Sequence, residues 1–162
     1  MFFKKKKNFD FIKLLASLII CQLAGAVGSV FTSPKIKTWY AGLIKPNFNP
    51  PNWIFGPVWT ILFLLMGVAL FLIWRQTKAK NKTALTLFGI QLGLNIFWSV
   101  LFFGLQSPQN AFIEIILLWL IILLTIISFY KISKTASILL IPYIAWVSFA
   151  AVLNFYLWRL NI

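Results

Sequence analysis

The 162-residue chain contains no histidine, one cysteine (Cys21) and two acids, Asp10 and Glu114. Without histidine there is no side chain whose ordinary titration falls near neutrality, so histidine-based catalysis and histidine-ligated haem or zinc are excluded. A lone cysteine cannot close a disulfide within the chain. The two acids sit on different segments, so chemistry needing paired carboxylates has no pair to draw on. Hydrolysis and metal catalysis are poorly supplied, and no metal site is expected. Strict period-two alternation is also missing, which argues against the strands of a membrane β-barrel.

What is present is apolar. Hydrophobic residues make up 61% of the chain and the mean hydropathy is +0.91, whereas soluble domains are about half apolar. Five stretches, 11–31, 57–74, 83–105, 110–130 and 134–158, approach or exceed the roughly 20 residues that cross a bilayer as helix. Helices satisfy every backbone group within the segment, as lipid requires. The sequence therefore predicts an all-α membrane protein: one domain, 11–162, formed as a bundle of five transmembrane helices behind a basic amino-terminal tail, 1–10. A lid-like first loop is expected at 32–56. The odd helix count, with no visible internal repeat, weighs against an inverted-repeat transporter.

The net charge of +13 would suit nucleic acid if the basic residues shared one soluble face. They lie instead between the apolar runs, where topology places them, so membrane lipid is the expected partner and nucleic acid is not. Lys4, Lys5, Lys6, Lys7, Lys13, Arg75, Lys78, Lys80, Lys82, Lys131 and Lys134 fall on one side, and Lys35, Lys37, Lys45 and Arg159 on the other. The positive-inside rule then places the amino terminus in the cytoplasm and the carboxyl terminus outside it. The lysine run, the first apolar stretch and Ala24–Ala26 resemble a cleavable signal peptide. The apolar run continues past that point, however, and Ser17, Cys21, Gly25 and Ser29 recur every four residues as a packing ridge. A retained helix is expected.

Four of the seven prolines fall in "KPNFNPPNWIFGPVW", residues 45–59. Pro50 and Pro51 make a short rigid strut, and Pro57 suits the first turn of the second helix. The segment reads either as an interfacial linker or as a preorganised lid that loses little entropy on closing. Helical spacing puts Gln91, Asn95, Trp98 and Phe102 on one face of the third helix. On the fifth, Trp146, Phe149, Ala150 and Leu153 share a face, with Asn154 adjacent; Pro142 leaves the Ile138 carbonyl without its usual donor and predicts a kink. Trp59, Phe63, Met66 and Gly67 align on the second. For Gln91, helix-to-helix bonding and ligand contact both remain open, and Glu114 is expected in a structural, hydrogen-bonded role. Gly89 and Gly93 form a G-xxx-G pair turned away from Gln91 and Asn95, fit for a second copy or for packing inside the bundle. Leu153, Tyr156 and Arg159 match the loose cholesterol-recognition pattern.

The stretches "WYAGLIKP", "PVWT", "LGLNIFWSVLFFG" and "LLIPYIAWVSFAAVLNFYLWRLN" resemble the tryptophan-rich sensory protein/translocator protein family, formerly called peripheral benzodiazepine receptors. The likeness runs from about Trp39 to the carboxyl end. Phe48 stands where that family usually has tryptophan, which keeps stacking area and loses an indole donor. The resemblance implies a five-helix bundle, usually a homodimer, with a cavity beneath the first loop. It implies no tightly bound cofactor, but ligands such as protoporphyrin or related tetrapyrroles, sterols and benzodiazepine-type drugs, and for bacterial members light-dependent oxidative breakdown of protoporphyrin. Taken with the helix faces and with indole as the most oxidisable ring, it points to catalytic Trp59 and Trp146, and to ligand contacts from Trp39, Tyr40, Lys45, Pro51, Trp53, Phe63, Asn95, Trp98, Phe102, Phe149, Ala150 and Asn154. Propionates of a metal-free porphyrin would meet Lys45, Lys35 or Lys37. A non-catalytic porphyrin or sterol sensor, and a tetrapyrrole or lipid carrier, are the alternatives.

Overall fold

The computed structural model describes the backbone of residues 2–76 and 81–162; Lys78 and Lys80, and the side chains of Lys4–Lys7, lie outside the described residues. Among the described residues seven helices follow in order: α1 (Phe2–Ile36), α2 (Trp39–Gly42), α3 (Asn52–Trp74), α4 (Asn81–Ser99), α5 (Pro108–Tyr130), α6 (Lys134–Ile138) and α7 (Ile141–Leu160). A π-helical turn, Val100–Gly104, extends α4. No strand occurs among the described residues. Five spans are long and apolar enough to cross a membrane: Asp10–Ile36, Asn52–Trp74, Asn81–Gly104, Pro108–Tyr130 and Lys134–Leu160.

Several boundaries differ from expectation: α1 begins at Phe2, inside the expected tail, and two more differences change the lid. α1 continues to Ile36 with Pro34 inside it, and α3 begins at Asn52 rather than at Pro57. The lid is thus 37–51, with α2 inside it. Pro57 sits in the second turn of α3, where its missing N–H deprives only the Trp53 carbonyl. The break between α6 and α7 falls at Leu139–Leu140, where Pro142 removes the donor for Ile138.

α1 packs along α3 and α4, and α5 lies between α4 and α7. Small residues allow the closest approach. At Gly67 of α3, an added Cβ would lie 2.9 Å from Leu18 Cα of α1, so even alanine would push the two helices apart. Ser17 and Cys21 are buried in the same seam. The half of the bundle farther from the lid is filled solid by Met66, Ile73, Phe88, Ile122, Phe129 and Leu140, with the Phe88 and Phe129 rings stacked at 5.7 Å. A second cluster, Tyr40, Leu101, Phe102, Phe103, Ala111, Leu153 and Leu157, packs under the lid. Between the two clusters the bundle opens.

Candidate ligand-binding site

The opening is a cavity of about 570 Å³, within the size range of small-molecule sites. Its walls come from α1, α2, α3, α4 with the π turn, α5 and α7. Aromatic rings from four of these elements line it: Trp53, Phe55, Trp59 and Phe63 of α3, Trp98 of α4, Phe102 and Phe103 of the π turn, and Trp146 of α7. Trp98 stacks on Phe102 with centroids 4.9 Å apart, and Trp59 lies 5.6 Å from Phe63. Phe55 meets Trp146 edge-on at 5.9 Å. Leu101, Phe102 and Phe103 are all buried, a run of three that a regular helix cannot give to one side. The widened turn, closed by Leu105 N–H to Val100 O at 2.8 Å, brings them in.

Two polar groups of the wall, Asn95 and Asn154, are bonded to neighbouring helices. Asn95 Nδ2 donates to the Tyr143 hydroxyl at 3.0 Å, which donates to Gln91 Oε1 at 2.9 Å. Trp98 Nε1 donates to Asn154 Oδ1 at 3.0 Å, and Asn154 Nδ2 to the Pro108 carbonyl at 2.7 Å. These bonds tie α4, α5 and α7 at the depth of the cavity. Trp146 Nε1, by contrast, is buried without a protein acceptor. An indole N–H in an apolar wall costs free energy until something accepts it.

Of the residues singled out in the sequence, Tyr40, Trp53, Trp59, Phe63, Asn95, Trp98, Phe102, Trp146, Ala150, Leu153 and Asn154 meet at the cavity. Trp39, Lys45, Pro51 and Phe149 do not line it. Trp39 packs behind the wall on Phe102 and Phe103, at 5.4 and 6.2 Å. Phe149 meets the lid residue Phe48 at 6.4 Å and Trp146 at 5.5 Å. Pro51 precedes the first turn of α3. The Lys45 ammonium is held inside the lid, donating to the Ala41 and Leu43 carbonyls and lying 4.8 Å from the Tyr40 ring centre.

Gln91 is buried and bonded to Tyr143, away from the cavity wall. Glu114 is buried, yet neither carboxylate oxygen finds a hydrogen-bond partner among the described residues, which departs from the hydrogen-bonded role expected of it. Gly89 and Gly93 are exposed, and an added Cβ at either would meet nothing within 4 Å; the ridge is therefore free of packing inside the bundle. Leu153 points inward, whereas Tyr156 and Arg159 are exposed, so the three sterol-pattern residues do not share one outer surface. Sequence reasoning missed Gln22, Gly28, Phe55, Ser99, Phe103, Ile115 and Leu118 in the wall. Phe55 lay in plain view in the proline-rich segment; Gly28 and Ser99 give no signal, because they contribute by being small.

A model of the TspO/MBR family matches residues 17–159. The tryptophan-rich protein TspO of Archaeoglobus fulgidus is 45% identical over 152 residues, covering 94% of this chain and 99% of that protein. The protein of the same name from Chlorobaculum tepidum is 47% identical over 157 residues, covering 95% and 99%. The human translocator protein is 37% identical over 138 residues, covering 83% and 82%. Fold, site and these likenesses agree: the chain is a multi-pass integral membrane protein belonging to the TspO/MBR family.

Proposed function

We propose that the cavity binds a flat, largely apolar tetrapyrrole such as protoporphyrin and promotes its light- and oxygen-dependent degradation. The observation that carries this reading is the wall itself: tryptophan and phenylalanine rings brought together from several helices around one opening. Such a surface favours a wide aromatic plane over a compact polar solute. The one buried, unpaired donor in the wall, Trp146 Nε1, would meet an acceptor on the ligand's edge.

Light supplies the driving force and oxygen the oxidant. An excited porphyrin beside Trp59 or Trp146 takes one electron from the indole, leaving an indole radical cation and a porphyrin radical anion. The porphyrin anion passes its electron to oxygen, giving superoxide; the indole cation takes an electron back from the neutral porphyrin, and superoxide adds to the resulting porphyrin cation, the dioxygen adduct opening the ring with both oxygen atoms kept as carbonyls. Energy transfer from excited porphyrin to oxygen is the competing path. The indole, the most oxidisable ring in the wall, decides between them.

The test is conservative substitution. Trp59→Phe and Trp146→Phe keep stacking area and remove the indole. Both variants are expected to bind protoporphyrin within about threefold of the parent while losing most light-dependent product, a loss of tenfold corresponding to about 1.4 kcal/mol in barrier. Binding without product in the parent protein would instead assign a sensor or carrier.

A further inference from the structure

The two helices that meet tightly at Gly67 and Leu18 separate towards the lid, and there the cavity wall is not closed. Ala26 and Ser29 of α1 and Gly56 and Thr60 of α3 line the cavity and are exposed. Thr60 lies eight residues inside α3, roughly 12 Å along the axis, and so falls within the membrane span Asn52–Trp74. The gap therefore faces lipid rather than water. Its chemistry is unusual for that place: small residues and hydroxyls stand where bulky apolar side chains are the rule. The hydroxyl protons are nevertheless already spent within each helix. Ser29 Oγ donates to the Ala26 carbonyl at 2.7 Å and Thr60 Oγ1 to the Gly56 carbonyl at 2.9 Å, so both edges present mainly carbon.

At this depth the seam is bridged by Gln22, whose Nε2 donates to the Thr60 carbonyl at 3.1 Å. The water-facing end is closed more firmly. Tyr40 donates to Asn49 Oδ1 at 2.8 Å, Asn161 bonds both backbone groups of Ile44, and Phe48 lies edge-on against Tyr156 at 5.3 Å.

We propose that the cleft between α1 and α3 is a doorway through which a planar, largely apolar molecule slides between lipid and cavity, with Gln22 as its bar. An apolar plane leaving the bilayer this way never crosses the headgroup layer and never displaces the bolted lid. The inference rests on the cavity being the ligand site.

Gly56 offers a clean test, because a Cβ there meets nothing within 4 Å. Association and dissociation of protoporphyrin are followed by its fluorescence, with the protein in phosphatidylcholine vesicles. Gly56→Trp is expected to slow both rates at least tenfold, because an obstructed passage delays entry and exit alike. Gln22→Ala should speed both several-fold, and Asn161→Ala should change neither by more than about twofold. If helix content shows that Gly56→Trp does not fold, Ser29→Trp across the cleft takes its place with the same expectation. Unchanged rates in the obstructed variant, with faster exchange in Asn161→Ala, would overturn the doorway and leave the cavity reading intact. A parent protein that binds no protoporphyrin overturns the cavity reading, and the doorway with it.

Discussion

The side-chain amide of Asn161 grips the backbone of Ile44 from both directions. Its Oδ1 accepts the Ile44 N–H at 2.9 Å and its Nδ2 donates to the Ile44 carbonyl at 2.9 Å, across 117 residues of sequence. A second bond from Nδ2 to the Leu157 carbonyl at 2.8 Å fixes the amide to the end of α7, so the lid is fastened to a helix rather than to a loose end. Asn161→Ala removes both bonds to the lid. The amide of Ile44 should then exchange its hydrogen faster by a factor matching about 1–3 kcal/mol of lost protection, while helix content stays that of the parent. Unchanged exchange at Ile44 would show that the aromatic contacts of Phe48 hold the lid without the amide.

Gly89 and Gly93 should form the contact surface of a homodimer. Both lie on the outer face of α4 with open space before them, and small residues let helices in lipid approach closely. Gly89→Leu with Gly93→Leu should yield monomers by cross-linking in membranes, with protoporphyrin binding retained because Asn95 and Trp98 face the other way. A dimer of unchanged strength would exclude this face.

Orientation follows from charge. A periplasm-active reporter fused after Ile162 should be active, and one placed between Arg75 and Lys82 inactive; a cytoplasm-active reporter should give the opposite pair. The reverse pattern would mean that the carboxyl-terminal side, with the fewer basic residues, is the cytoplasmic one.

Tyr40 lies outside the membrane spans, and burial holds its phenol above the ordinary value of 10.0. A raised value means that folding favours the neutral phenol. That contribution is fully present below the ordinary value and is lost as pH rises through the higher one. Near-ultraviolet circular dichroism of the lid aromatics should therefore stay constant from neutrality to about pH 10 and fall only above it, in step with phenolate absorbance. In Tyr40→Phe that alkaline step should disappear, together with the bond to Asn49, at a cost of about 1 kcal/mol at neutral pH.

The spans, and the inward faces of α3, α4 and α7, were legible because helical periodicity speaks clearly where side chains are large. Trp59 and Phe63, Asn95 and Trp98, Trp146 and Ala150 each sit at spacings that only a helix brings together, and each pair reaches the cavity. Lys45 and Trp39 could not be placed the same way, since no period sets the direction of a side chain in an irregular lid. Lys45 turned onto Tyr40 and the lid carbonyls, and Trp39 turned behind the wall. The start of α3 was misread because Pro57 looks like a helix beginning, whereas one missing N–H near an end is cheap enough for the helix to run through it. The share of α1 in the wall went unseen because Gly28 and its neighbours act through the space they leave.

The π turn at Val100–Gly104 works as a vernier between two parts of the protein that must line up independently. Below it, α4 is set by the Asn95–Tyr143 and Trp98–Asn154 bonds; above it, Phe102 and Phe103 must form the floor on which Trp39 and the lid rest. One surplus residue lets the upper part be dialled without disturbing the lower. Drawing the same residues into an even helix would lengthen the column by about 1.5 Å and rotate all that follows by about 100°. Phe103 would swing out to lipid, Trp39 would lose its seat, and the roof of the cavity would come loose while its walls stayed where they are.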